Sequence, residues 1–193
     1  IGIDSSRLDV VLMQLVNLMK DGEPVRMSKR TGNAVTLVDL LDEVPIDAAR
    51  FFFNMREPGS TIDFDLGLAV KEDSQNPVYY CQYANARICS ILRKMKEEGV
   101  EPRDCTEEEL MLLNAPEERE LIRHLSALTD EIITAAKDYD PARITRYAVT
   151  LATLFHKFYN ACRVGVDDEK LRAARLYLCC RVKDVMGIIL TEF

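Results

Sequence analysis

The spacing of apolar residues divides the chain into a short mixed segment and a longer helical segment. Over the first 65 residues the pattern changes between that of strands and that of helices. After residue 75, apolar side chains recur every three or four positions over long stretches, which is typical of helices that bury one face. We therefore predict a mainly α-helical protein, in which an α-helical bundle (76–193) follows a short α/β tail (1–65) and the boundary lies at 66–75.

The α/β tail carries a predicted hairpin and a later segment of alternating apolar and polar residues. Residues 10–19 are apolar except for Gln14 and Asn17, which predicts a strand buried on both faces. The Asp21-Gly22 pair predicts a tight turn, after which residues 23–27 return as a second strand. Residues 61–65 alternate apolar and polar, and their two aspartates could form an acid/base pair. We expect instead that these carboxylates cap neighbouring helices or face water.

Helix boundaries are indicated by capping residues and by proline. Thr36 with Asp39 predicts a capped helix over 36–43, and Pro45 begins another that ends near Met55. The bundle is predicted to contain four long helices, with a short one opening at Thr106. The long helices are expected over 76–98, over 117–138, from 140–141 to about 165, and from 167–168 to about 189.

The charge distribution changes what the composition implies about partners. The net charge of −7 by itself argues against nucleic-acid binding. However, residues 97–140 carry 14 acidic and 4 basic side chains, a net charge of −10, whereas residues 141–183 carry 9 basic and 3 acidic ones, a net charge of +6. Phosphate binding depends on such a local patch. The alternative is that these charges are scattered over solvated faces.

The cysteine and histidine content argues against a metal site. The six cysteines contain no C-x-x-C pair and there are only two histidines, so we expect neither metal ligation nor a disulfide framework. Reduced cysteines, with no signal peptide and no long apolar span, predict a cytoplasmic location and no membrane partner. The chain begins with Ile1, and its first strand needs neighbouring strands. We therefore expect a piece of a longer protein.

A basic loop follows the predicted hairpin. Lys29 is flanked by Arg26 and Arg30, and Gly32 ends the loop. Lysine offers a compact charge with three donors, and the backbone N–H groups of such a loop can bind phosphate oxygens. The loop is therefore a candidate triphosphate site. A solvated basic turn is the alternative.

Four sequence blocks together resemble class I arginyl-tRNA synthetases. Met27-Ser28-Lys29 resembles the lysine-methionine-serine-lysine-serine loop of class I enzymes, within VNLMKDGEPVRMSKRTGNAVTLVDLLDEV. DAARFFF and NPVYYCQYANARICSILRK follow, and then FHKFYNACRV with LRAARLYL, which match the helical DALR-type anticodon-binding domain of that family. Arg26 and Arg30 stand where the general motif has Lys and Ser, and Asn85 stands where the family commonly has His.

The resemblance implies a specific division of roles. Residues 1–65 would be the end of a Rossmann-like catalytic domain with a stem-contact region. Lys29 would be catalytic, stabilising the pyrophosphate leaving group, and Arg26, Met27 and Ser28 would contact ATP, which is bound with Mg²⁺. The full enzyme would join L-arginine to its tRNA, as a monomer. The histidine-glycine motif of such enzymes is absent here, so we expect no aminoacylation by this chain alone.

The resemblance also implies RNA contacts in the bundle. Tyr159 and Arg163, spaced i, i+4, are predicted to form one stacking platform for an anticodon base. Further candidates are three phosphate contacts (Arg143, Arg146 and Arg172) and Tyr147, which lies on the same predicted helix as Tyr159. Tyr83 and Arg87 are candidates for contacts with the tRNA stem. The alternative is that the tyrosines lie at the rim of the core with hydrated hydroxyls.

Two other functions remain open from the sequence. One is a stand-alone helical module that binds RNA or another partner. The other is a different class I aminoacyl-tRNA synthetase, such as the cysteinyl enzyme, which carries zinc through Cys and His. An upstream Rossmann half in the parent gene would distinguish the first alternative from a synthetase.

Overall fold

The computed structural model describes residues 4–25 and 35–192. A 3₁₀ turn (Ser5–Arg7) precedes an α/β segment and a helical bundle, so the predicted fold class is confirmed. The α/β segment contains β1 (Val16–Lys20), β2 (Glu23–Pro24), α1 (Leu37–Glu43), α2 (Ile46–Phe53), β3 (Ile62–Asp65) and α3 (Leu66–Ala69). The bundle contains α4 (Pro77–Glu97), α5 (Glu107–Leu110), α6 (Pro116–Ser126), α7 (Leu128–Asp138), α8 (Ala142–Ala161) and α9 (Glu169–Glu192).

The three strands form one sheet in the order β2-β1-β3. The predicted hairpin turn is confirmed, since Asp21 and Gly22 both have positive φ, of 55° and 81°, as a two-residue hairpin loop requires. β3 pairs with β1 in parallel, and Leu18 lies opposite Phe64. The chain between these parallel strands passes through α1 and α2.

The prediction of a strand over residues 10–19 was wrong in its first half. Val10, Leu12 and Leu15 are mostly exposed, and regular strand structure begins at Val16. β3 is only four residues long and pairs with Val16 to Met19. In the described ranges no strand lies beside residues 10–15, so their apolar pattern has no sheet in which to be buried.

Local capping explains where the helices of the α/β segment begin. The Thr36 hydroxyl accepts from Asp39 N (3.2 Å) and the Asp39 carboxylate accepts from Thr36 N (2.7 Å), which confirms the predicted capping box. The carboxylate of Asp65 likewise accepts from Leu68 N (2.9 Å) and caps α3. Asp63 accepts from the side chain of Asn17 (2.9 Å). The aspartates of β3 therefore have structural roles, as expected.

The bundle helices mostly follow the predicted boundaries. Asn76 caps α4, and Gly99, with φ of 78°, follows its C-terminus. Thr106 and Glu109 form a capping box at α5, and Asp168 accepts from the first backbone N–H groups of α9. The fully buried apolar side chains of the bundle core include those of Ile88, Leu121, Leu151, Phe155, Phe158, Leu176, Val182 and Met186.

The predicted helix over 117–138 is two helices, which is a correction. α6 ends at Ser126 and α7 begins at Leu128. The carbonyl of His124 accepts from Ala127 N (3.2 Å), a tighter i+3 bond, and also from the Tyr147 hydroxyl (2.9 Å). The apolar spacing continues across the break, and no glycine or proline marks it.

Direct contacts join the α/β segment to the bundle. The Thr145 hydroxyl donates to the Asn54 carbonyl (3.0 Å), and Gln82 donates to the carboxylate of Asp47. Phe51 packs against the hydrophobic cores of both segments. The two segments are therefore held in a fixed arrangement. Among the described helices, none has the length and apolar character that crossing a bilayer requires.

Candidate nucleic-acid interface

The sequence predicts that the basic loop binds phosphate. Arg26, Met27, Ser28 and Lys29 lie outside the described residues. The chain leaves the sheet after β2, where Val25 N donates to the Leu18 carbonyl (2.8 Å), and is described again from Val35, just before α1. The role of these four residues in phosphate binding stays a prediction.

Arg87 joins two predicted RNA contacts that are far apart in sequence. Its guanidinium carbon on α4 lies 5.0 Å from the ring centroid of Tyr83 and 4.5 Å from that of Tyr159 on α8. It also donates a hydrogen bond to the Tyr83 hydroxyl. The structure thus brings together residues that the sequence had assigned to separate contacts, one with the tRNA stem and one with the anticodon.

Further rings extend this surface, which we call the aromatic face (Tyr79, Tyr83, Arg87, His156 and Tyr159). The rings of Tyr79 and Tyr83 are nearly parallel, at 11°, with centroids 6.3 Å apart. The His156 ring stacks on Tyr83 at 5.8 Å. Tyr83 and Tyr159 remain 42% and 37% exposed. Partly exposed rings beside a guanidinium offer π-faces on which unstacked bases can lie.

His156 lies at the base of the aromatic face. Its ring also contacts Tyr80 (4.9 Å), and its Nε2 atom is buried with no partner among the described residues. Burial, followed by the charge of Arg87, lowers the pKa of His156 below its ordinary value. Sequence reasoning did not assign His156 or Tyr79 to the site. The i, i+4 spacing of Tyr79, Tyr83 and Arg87 is the signal that could have found the α4 half.

The predicted platform of Tyr159 with Arg163 does not form as a helical pair. α8 ends at Ala161, so Arg163 lies beyond the helix and the i, i+4 relationship is lost. The guanidinium over the Tyr159 ring belongs to Arg87 instead. Arg163 itself is exposed in the connection to α9.

Three of the predicted phosphate contacts are engaged within the protein. Arg143 pairs with Glu131 (3.0 Å), and Arg146 pairs with Asp140 (2.9 Å). Arg172 donates to the backbone carbonyl of Val166 (3.0 Å). The positive charge of the C-terminal third is therefore partly neutralised by neighbouring carboxylates, and these arginines are weaker candidates for phosphate binding than the sequence indicated.

The prediction that Tyr147 contacts RNA does not fit its surroundings. Its side chain is only 3% exposed, its ring stacks on His124 at 4.1 Å, and its hydroxyl donates to the His124 carbonyl. Burial raises its pKa to about 12. With both the ring and the hydroxyl engaged in the core, Tyr147 presents no face to a base.

Comparisons with known proteins identify the family. A family model described as the DALR anticodon binding domain matches residues 81–191. The chain is 54% identical to the arginine–tRNA ligase of Caldanaerobacter subterraneus subsp. tengcongensis, over 96% of this chain and 33% of that protein. It is 52% identical to the arginine–tRNA ligase of Desulfitobacterium hafniense, over 98% of this chain and 34% of that protein.

The solved structures agree with the family model. The structure of Thermus thermophilus arginyl-tRNA synthetase matches with a TM-score of 0.71 and 25% identity, over 90% of this chain and 33% of that one. The chain thus spans about a third of the length of the curated relatives that it matches. Because the family model covers more than half of the chain and the helical fold agrees, the chain belongs to the family with a DALR anticodon-binding domain.

Proposed function

We propose that this chain is part of an arginine–tRNA ligase and that its bundle binds the anticodon region of the arginine tRNA. The observation that carries the proposal is the 54% identity to an arginine–tRNA ligase over 96% of the chain. The whole protein would use ATP, with Mg²⁺, to attach L-arginine to its tRNA, and would act as a cytoplasmic monomer.

The aromatic face is the part of the bundle that best supports RNA binding. Anticodon bases are unpaired in the loop, and proteins bind such bases by stacking on aromatic rings and guanidinium planes. Tyr83 and Tyr159 come from different helices, yet Arg87 lies against both rings. A surface assembled from α4 and α8 is wider than one side chain, so adjacent bases could stack on it.

The α/β segment is proposed to supply the ATP-phosphate loop. Lys29 would meet the negative charge that develops on the leaving pyrophosphate, with Arg26, Met27 and Ser28 beside the nucleotide. β2, which precedes the loop in sequence, is an edge strand of the described sheet. The hydrophobic cores of the two segments meet around Phe51, which supports a division of the chain near residues 66–75.

Binding of this chain to total tRNA tests the proposal directly. The chain would be mixed with total tRNA in a gel-shift experiment at one fixed salt concentration, and the retained RNA sequenced. We expect arginine tRNAs to be enriched. Retention of all tRNAs alike would instead support a stand-alone RNA-binding module, and retention of cysteine tRNAs would indicate the cysteinyl enzyme. No arginine-dependent exchange of ATP with pyrophosphate is expected from this chain alone, and measurable exchange would contradict that expectation.

A further inference from the structure

The connection between α8 and α9, residues 162–168, is anchored on several sides. Cys162 and Val164 are buried, and Arg163 between them points outward and is exposed. A Cβ added at Gly165 would lie 3.3 Å from the terminal carbon of Met95, so the backbone packs closely on α4 there. The connection therefore has little room to move.

A buried ion pair holds the carbonyl of Arg163 itself. Arg175 on α9 donates from Nε to Glu118 Oε1 (2.7 Å) and from Nη1 to the Arg163 carbonyl (2.7 Å). Glu118, at the start of α6, is 1% exposed, and its other oxygen accepts from Ala115 N (2.9 Å). One guanidinium thus ties α6, α9 and the connection after α8 together.

The forked geometry of the guanidinium is what makes this arrangement possible. A lysine has one nitrogen and could not present two fixed donors in the same plane. A buried ion pair is also a poor source of net stability, because removing both charges from water offsets much of their attraction. Its contribution here is geometric, since it fixes where the Arg163 backbone lies.

Arg163, which the sequence assigned to the stacking platform, differs from the three predicted phosphate contacts in having an uncommitted side chain. Arg143 and Arg146 pair with carboxylates, and Arg172 donates to a carbonyl. In the two described ranges, the guanidinium of Arg163 contacts no carboxylate and makes no hydrogen bond. An unpaired, exposed guanidinium that leaves an anchored backbone is available to bind an external anion.

We propose that the Glu118–Arg175 pair is a positioning device that fixes Arg163 to contact a phosphate of the bound tRNA. This inference rests on the proposed function. Arg175 acts through the backbone of Arg163 and does not itself touch the RNA, and Glu118 fixes Arg175.

The test replaces the pair by apolar residues of similar size, in Glu118→Leu with Arg175→Met. Such exchanges of buried ion pairs preserve folding in other proteins, so melting followed by circular dichroism should remain cooperative. Affinity for arginine tRNA is expected to fall about tenfold at fixed salt, the scale of one hydrogen bond to a charged group. The slope of log affinity against log salt should fall by about one unit.

Arg163→Ala provides the decisive comparison. It should lower the tRNA affinity and the salt slope by as much as the double variant does. Adding Arg163→Ala to the double variant should cause little further loss of affinity, because both changes remove the same contact with the tRNA. Arg175→Lys, which keeps a positive charge beside Glu118 but not both donors, is the variant to use if the double variant does not fold, and it should also weaken binding.

The results separate this inference from the proposed function. Unchanged affinity and salt slope in the folded variants, or full additivity with Arg163→Ala, would overturn the positioning role while wild-type binding stands. Failure of the wild-type chain to retain arginine tRNA would instead overturn the proposed function on which the inference rests.

Discussion

The guanidinium carbon of Arg87 lies 4.5 Å from the centre of the Tyr159 ring, although the two residues are on different helices. Arg87 also donates a hydrogen bond to Tyr83, its neighbour one turn earlier on α4. The relationship makes the surface of α4 and α8 continuous. It also means that a substitution at Arg87 would remove a contact that the Tyr83 and Tyr159 rings share.

Tyr159→Ala should weaken binding of arginine tRNA by about 1–3 kcal/mol, the usual loss for one stacked base. Discrimination against tRNAs with other anticodons should also decrease. Affinities for tRNAs with different anticodons, measured at one salt concentration, test this prediction. Tyr159→Phe is the matched control, because it keeps the ring and should bind almost as well as the wild type.

Arg87→Met is a second test of the same surface. Methionine keeps much of the length of the side chain but removes the charge, so the contacts with both rings weaken together. We expect a loss similar to that of Tyr159→Ala, and a double variant that loses less than the sum of the two. If both single variants stay folded and discriminate anticodons as the wild type does, the base platform lies elsewhere.

Tyr147→Phe should affect stability and not RNA binding. The change removes the hydrogen bond from the Tyr147 hydroxyl to the His124 carbonyl, at a cost of about 1 kcal/mol. Urea denaturation would measure the change in the free energy of unfolding. Tyr139→Phe is a suitable control, since the Tyr139 hydroxyl bonds to Asp9 at the exposed surface. A large loss of tRNA affinity in Tyr147→Phe would restore it as an RNA contact.

His156 should make stability fall at acidic pH. Its folded-state pKa is lowered from the ordinary value of 6.5, so the unfolded chain binds the proton more readily. The stabilising contribution is fully present above pH 6.5 and is lost as the pH falls through the lower folded-state pKa. The free energy of unfolding should therefore decrease less between pH 7 and pH 5 in His156→Gln than in the wild type. An identical decrease in both would contradict the assignment.

Lys29→Ala is a test for the full-length protein. The rate of arginyl transfer should fall by two to three orders of magnitude, roughly the effect of losing one preorganised charge at the reacting centre. The KM for tRNA should change little, because the loop is proposed to bind ATP. A variant that kept its kcat and lost tRNA affinity would show that the loop contacts RNA instead.

The sequence predicted the helices well where capping residues were present. Asn76, Thr106 and Asp168 mark helix starts by hydrogen bonds that form within a few residues, so local sequence was sufficient. At the break between α6 and α7, the His124 carbonyl accepts from the hydroxyl of Tyr147, which is 23 residues away in sequence. No local pattern could reveal that contact.

The sequence identified individual residues of the candidate site but not which of them contact each other. Tyr83, Arg87 and Tyr159 were each identified, yet the partner of Tyr159 was expected four residues along its own helix. The helix ends too early for that geometry, and packing of α4 on α8 supplies Arg87 instead. Intramolecular pairing of Arg143 and Arg146 could not be read from charge counts, because their carboxylate partners depend on how the chain folds.

The hydrogen bond from the Thr145 hydroxyl to the Asn54 carbonyl affects the distance between the α/β segment and the bundle. It joins the C-terminus of α2 to the first turn of α8 and, with the Gln82–Asp47 bond and the packing of Phe51, constrains the separation between the end of β2 and the aromatic face. A ligand that bridged both positions would have to match their separation. If the proposed function holds, molecular length would then be a property by which the protein discriminates among RNAs, in addition to the identity of any single base.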